Sequence, residues 1–371
     1  MKKGWWKFWT IVILVPLLAG CWSNRPVELR SMVLAIGFSP APHGRIRVTV
    51  QIPTKAGLTS LTGGGAKSGG TGTLDYTLAA EGLTPGMALT RIQSNMQTDL
   101  YLGQVQLVVL SSTLHGSRLR TVEKYLTRLG PMDKTAYAIA TPSVKSLMRA
   151  TPSTQDLPTL DLIGGFGCTS CETTTYRQHQ WDIEMAIPTP GDSIWMPYVT
   201  TAPTGFNTGR LILYRGYTPV WALSRRDTII MGFLLGRTGK GYVSFRAGSN
   251  RIGLRTVKAT PKIRAKLVRG RLVVAASVAM TGTLDTWTGP ALTPRRIRWI
   301  EHRVDAQLSP ELFQVMTRLQ RLETDPGGWL APLIWRSRPS WRSASVWESQ
   351  FRHAQVMVTV TFHLINVGDS N

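Results

Sequence analysis

The chain has 371 residues, 43% of them apolar, with 43 Lys and Arg against 21 Asp and Glu for a formal charge of +22. That apolar share excludes a wholly disordered chain, and the length exceeds one ordinary core, so two or three domains are expected. With so few carboxylates, a paired-carboxylate hydrolase has little to draw on.

The N-terminus sets the frame. Lys2, Lys3 and Lys7 precede an almost unbroken apolar run over residues 8–18, and Leu18-Ala19-Gly20-Cys21 follows. A run of about a dozen residues is shorter than the roughly 20 a spanning helix needs, and it suits the apolar core of a secretory signal. Small residues followed directly by cysteine form a bacterial lipobox. Residues 1–20 are therefore expected to be a lipoprotein signal peptide, removed after diacylglycerylation of the Cys21 thiol. Two acyl chains hold a protein on a membrane where one does so only marginally. No later stretch is long and apolar enough to span. Without the three signal lysines the charge is +19. Beside anionic phospholipid each cation contributes about 1 kcal/mol, so membrane proximity is the preferred account of the charge. A general arginine bias stands next, and nucleic acid last.

Residues 32–38 form a short apolar strand. Ile46, Val48, Val50 and Ile52 alternate with Arg47, Thr49 and Gln51, the period of a half-buried strand; His43-Gly44 between the two predicts a hairpin. Residues 59–72 read as a Gly/Ser/Thr-rich loop. Within it, Gly63-Gly64-Gly65-Ala66-Lys67-Ser68 lacks the glycine before lysine that a phosphate loop requires. A strand at 74–80 precedes Thr84-Pro85, an N-cap with proline at the first helical position, and Leu89, Ile92 and Met96 then share a face. Residues 105–110 predict a central strand. Leu119, Val122, Leu126 and Leu129 predict a helix stopped by Gly130-Pro131. A strand at 135–140 and a short helix at 142–149 complete an α/β-type domain over 21–150. Pro152, Pro158, Pro188, Pro190, Pro197 and Pro203 mark 151–205 as an inter-domain segment, with one strand near 181–187.

An α+β region is expected over 206–371, divisible into 206–285 and 286–371. It starts with a strand at 210–215 and a helix at 225–235. Residues 242–245, 251–257, 262–268 and 271–280 read as successive antiparallel strands, and Val268-Arg269-Gly270-Arg271 is their clearest turn. Thr293-Pro294 caps a helix bearing Ile297, Ile300 and Val304. Ser309-Pro310 begins another bearing Leu312, Val315, Met316, Leu319 and Leu322. Proline inside a helix costs about 3 kcal/mol, so a kink or break is expected near 308–310. Asp325-Pro326-Gly327-Gly328 ends the pair. Val356, Val358, Val360, Phe362 and Leu364, alternating with Met357, Thr359, Thr361 and His363, form a closing strand. The fold class expected is α+β and multi-domain, with mixed and antiparallel sheets packed by helices.

Cys168 and Cys171 lie in a Gly/Thr-rich stretch that reads as loop. A Cys-x-x-Cys pair can be redox-active or half a zinc site. No second pair completes a zinc site, however, and no strand-then-helix setting is seen, so a small local disulfide or two idle thiols is expected. The histidines at 43, 115, 179, 302, 353 and 363 have no ligand spacing, and no Gly-x-Ser-x-Gly elbow occurs. Glu301 and Asp305, four apart beside Arg298 and His302, read as a solvated helix face. Trp329, Trp335, Trp341 and Trp347 read as packing in a helical cap; a protein interface is the other use of such aromatics. No catalytic residue, metal or cofactor is assigned.

Taken in order, these short motifs resemble the Ger(x)C family of spore germination lipoproteins, the C subunits of nutrient germinant receptors. The resemblance starts with the lipobox and Cys21-Trp22. It continues through Leu34-Ala35-Ile36-Gly37, Arg47-Val48-Thr49-Val50-Gln51-Ile52, Leu100-Tyr101-Leu102-Gly103-Gln104-Val105-Gln106 and Arg128. In the C-terminal half it runs through residues 211–223, Asp325 and Gly328, Pro339-x-Trp341, Trp347, Phe351 and Gly368. Departures are Gln104 where the family often has His, Ser23 where it usually has Asp, and Pro310. The resemblance implies a three-domain α+β protein without established enzymatic activity, lipid-anchored through Cys21 on the outer face of the inner spore membrane. It implies work beside polytopic A and transporter-like B subunits that trigger germination; no nucleic-acid partner is expected. The rival expectation is a stand-alone extracytoplasmic lipoprotein that binds solute or cell-wall polymer.

Overall fold

The computed structural model describes residues 29–55, 57, 73–128, 132–152, 157–168, 176–237, 241–336 and 343–366. The expected loop at 59–72 therefore lies outside the described residues. The first half contains β1 (Arg30–Met32), β2 (Ala35–Pro40), β3 (Ile46–Pro53), β4 (Asp75–Gly82), α1 (Pro85–Gln93), β5 (Asp99–Tyr101), β6 (Leu107–Ser111), α2 (Gly116–Arg128), β7 (Tyr137–Thr141) and α3 (Val144–Met148). His43 and Gly44 both take positive φ, 54° and 70°, the tight turn whose twist suits a hairpin, and β2 pairs antiparallel with β3. Thr84 caps α1 by accepting from the Met87 N–H, with proline following. The sheet order is β4-β3-β2-β6-β7. Pairing is antiparallel on the β3 side and parallel among β2, β6 and β7.

The expectation of a half-buried β3 is corrected: only Arg47 of its eight residues is exposed. Val48, Val50 and Ile52 pack under α1 and α2. Gln51, on the opposite face, is fully buried because its amide is satisfied on both sides. It donates to the Met148 carbonyl (3.2 Å) and to Asp75 Oδ2, and its Oε1 accepts from the Thr159 hydroxyl. A second core of Ala35, Leu107, Val109, Ile139, Leu147, Leu162 and Phe166 fills that face. All five residues of β6 are accordingly buried.

Residues 151–205 are more than a connector. They hold α4 (Pro158–Gly167), α5 (Gln180–Ala186), β8 (Trp195–Pro197) and β9 (Thr200–Ala202). The strand expected near 181–187 is the helix α5: Asp182 accepts from the His179 N–H at 2.9 Å, closing a capping box. Gly164, Gly165 and Gly167, read as loop, end α4, whose Leu162 and Phe166 are buried one turn apart. The segment also covers the free edge of β7, through Ala138 N–H to the Gln178 carbonyl and Val199 N–H to the Ala140 carbonyl, both 2.8 Å.

Next come β10 (Gly205–Asn207), β11 (Leu211–Arg215), β12 (Thr218–Ala222) and α6 (Arg225–Leu235). Strands β12-β11-β8 form an antiparallel sheet that serves two cores. Leu211 and Leu213 join the C-terminal core with Trp195 and Trp221. Ile212 and Tyr214 join the N-terminal one with Ile194 and Met196. The period of two sends successive side chains to opposite bodies.

The C-terminal body comprises β13 (Gly241–Ala247), β14 (Asn250–Val268), β15 (Arg271–Trp287), α7 (Pro294–Leu322), α8 (Ala331–Arg336), α9 (Ala344–Arg352) and β16 (Gln355–Asn366). Its sheet order is β13-β14-β15-β16, with β16 parallel to β15. Two expectations are corrected here. Residues 251–257 and 262–268 are parts of one 19-residue strand. Pro261 is tolerated because β13 pairs only with residues 250–256, so beyond that point β14 has one free edge and needs no donor there. Likewise α7 runs unbroken through Pro310 for 29 residues. Pro310 and Ala306, whose carbonyl loses its donor, are both exposed to water. The buried stripe Ile300, Val304, Leu308, Leu312, Val315, Met316 and Leu319 continues across the proline.

Candidate functional site

Of the cysteines, Cys21 and Cys171 lie outside the described residues. Cys168 follows α4 directly and is disulfide-bonded. Among the described residues no three His, Cys, Asp or Glu side chains gather as a metal site, and no helix is long and apolar enough to cross a membrane. Trp347 packs in the core while Trp335 is 53% exposed.

The polar chemistry concentrates where α7 ends. Glu323 takes a left-handed conformation (φ 54°) as its C-cap. Its carboxylate joins two elements: Arg215 Nη1, from β11, donates to Oε2 at 2.6 Å, and Arg352 Nη2, from α9, lies 2.7 Å from Oε1. Thr324 and Asp325 are fully buried. Asp325 Oδ2 accepts from the Leu330 N–H at 2.7 Å, holding the turn that enters α8. Gly328, at φ 60°, supplies the left-handed residue. That turn is fastened to the middle sheet by a reciprocal pair: Ser193 N–H donates to the Asp325 carbonyl (3.0 Å), and the Asp325 N–H donates to Ser193 Oγ (2.9 Å).

Asp192 stands beside this turn. Burial pushes the Asp325 carboxyl up to about 7, with backbone donors opposing and the Asp192 charge adding to the rise. Burial raises Asp192 to about 6, against the Ser193 N–H and the Arg237 guanidinium. Asp325 Oδ1 has no hydrogen-bond partner among the described residues. Locally, Asp325-Pro326-Gly327-Gly328 reads as a helix end; nothing local signalled that Asp192 and Ser193 meet Asp325, or that Arg215 and Arg352 meet Glu323.

Glu301 and Asp305, expected to face water, instead serve the sheet. Asp305 Oδ1 accepts from the Phe362 N–H at 2.8 Å and Glu301 Oε1 from the Leu364 N–H at 2.9 Å. These amides lie on the edge of β16 away from β15, so the helix supplies acceptors that a fifth strand would otherwise give. A shallow groove along the C-terminal half of α7 is lined by Phe313, Gln314, Thr317, Arg318 and Arg321, with a volume of about 500 Å³. Beside it Arg226 grips Glu311 through two bonds of 2.6 and 2.8 Å, and Arg318 lies 4.2 Å over the Trp221 ring.

None of the curated proteins matches the chain. A crystal structure of the GerBC protein is similar, with a TM-score of 0.56 at 16% identity, covering 89% of this chain and 97% of that one. It shares the fold. Residues 23–201 match the spore germination protein N-terminal domain, and residues 210–368 match the spore germination B3/GerAC-like C-terminal domain. The two matches meet across the middle sheet and leave little of the chain unassigned: it belongs to the Ger(x)C family of spore germination proteins.

Proposed function

We propose that the protein is the lipid-anchored C subunit of a nutrient germinant receptor, tethered through acylated Cys21 to the outer face of the inner spore membrane. There it acts as a non-catalytic docking body for the membrane-embedded A and B subunits. The observation that carries this reading is the pair of family matches, 23–201 and 210–368, which together span the folded chain. The lipobox at Leu18-Ala19-Gly20-Cys21 supports the tether. Two cores joined through one shared sheet, with a third on the far face of the N-terminal sheet, suit a body that presents surfaces rather than a cleft. The Cys168–Cys171 pair closes a small local disulfide in this reading. The test is Cys21→Ala in the native sporulating host. The expected result is loss of the protein from the membrane fraction and slower nutrient-triggered germination; unchanged fractionation with normal germination overturns it.

A further inference from the structure

The C-terminal sheet has one covered and one open face. On β14 the outward side chains Lys258, Lys262, Arg264 and Lys266 are all exposed. Their cross-strand partners on β15 are Thr281, Ser277, Ala275 and Val273, too small and too apolar to answer the charge. Among the described residues no carboxylate lies within ion-pair distance of these four cations; the pair on this face is Arg255 with Asp285, at 3.4 Å. The column runs to the β14–β15 hairpin tip. Arg269 and Gly270 turn there with φ of 51° and 77°. The tip passes the start of β16, which begins opposite Val273, and it exposes Leu267 (42%) and Val268 (50%) between Lys266, Arg269 and Arg271.

A solvated basic face would not need two bare aliphatic side chains at its protruding end. Lys262, Arg264 and Lys266, about 7 Å apart along the strand, with Lys258 two positions further back on the same face, lead to an apolar tip flanked by Lys266, Arg269 and Arg271 and match an anionic bilayer surface. The charges meet headgroups, and the tip enters the boundary of headgroup and acyl chain. We propose that the open face of the β14–β15 hairpin, from Lys258 to Arg271, docks on anionic phospholipid and orients the tethered body. This rests on the membrane-tethered reading above.

The test uses the full lipidated chain in vesicles with or without phosphatidylglycerol, carrying an environment-sensitive dye at Val268→Cys or, as a control, at Met185→Cys on α5. The readouts are quenching by spin-labelled lipid and co-flotation. The tip dye should be quenched in anionic vesicles only, and quenching should be lost at about 1 M salt, where screening acts within a few Å. It should also be lost in the triple variant Lys262→Glu, Arg264→Glu, Lys266→Glu, each cation contributing about fivefold to surface partition. Flotation and thermal stability should not change. An unquenched tip on a chain that floats normally overturns the proposal and leaves the tether intact. A tip protected only in native membranes assigns the face to an acidic protein and overturns it too. A chain that does not float overturns the tether and this proposal with it.

Discussion

Strands β6 and β15 show two ways of stabilising a sheet in one chain. Every residue of β6 is buried, because helices cover both faces of the N-terminal sheet. Strand β15 alternates, with Leu272, Val274, Ala276, Val278 and Met280 under α7 and the intervening residues on the open side. Two-sided cover leaves no position that accepts charge. One-sided cover makes half the positions free to carry function, at the cost of an edge that must be protected.

The sharpest way to break that comparison is to put a carboxylate on each sheet. Val108→Asp, on a fully buried position of β6, should lose about 5 kcal/mol or more and leave the N-terminal body unfolded. Thr359→Asp, on the open face of β16, should change stability by less than about 0.5 kcal/mol. Urea denaturation followed by circular dichroism reads both; equal losses would refute the one-sided cover. Phe362→Ala, on the covered face and 2% exposed, should cost about 3–5 kcal/mol, visible as an earlier unfolding transition of the C-terminal body.

The junction between the bodies should respond to pH. Asp192 and Asp325 have carboxyls raised in the fold to about 6 and about 7, from 3.8. Their neutral forms are therefore favoured by folding, and the stability this contributes is fully present below about pH 3.8 and lost progressively as pH rises to about 6 for Asp192 and about 7 for Asp325. Between pH 5 and 8 the wild type should lose a few kcal/mol, and Asp325→Asn should flatten the curve. A wild type that gains stability over that window would contradict the buried-turn account. A smaller effect is expected at the sheet edge. Glu301→Ala with Asp305→Ala should cost about 2 kcal/mol and speed hydrogen exchange of the Phe362 and Leu364 amides, leaving the amides that pair with β15 protected. Smallest of all, Arg264→Glu should leave stability within about 0.5 kcal/mol.

Much of the fold could be read locally because the determinants are local. The His43-Gly44 and Arg269-Gly270 turns, the Thr84 and Thr293 caps and the alternation of residues 355–364 each act over a few residues. The reading failed where distant groups decide. Gln51 looked like the polar side of a half-buried strand because its partners, Met148 and Thr159, are about a hundred residues away in sequence. Gly-rich α4 looked like loop because only tertiary cover of Leu162 and Phe166 makes the helix favourable. Pro310 looked like a break because proline's cost was weighed without knowing that its turn faces water.

The sequence by itself determined that the chain is α+β, and the order of its short motifs carried the resemblance to the Ger(x)C family. The fold class follows from short-range periodicity and capping, which act over a few residues. Only the tertiary structure decided that β11 belongs to two cores at once, that Glu301 and Asp305 close a sheet edge, and that Asp192 and Asp325 meet in a buried turn. Each of these depends on groups distant in the chain losing water together, and no local pattern records which partners will do so.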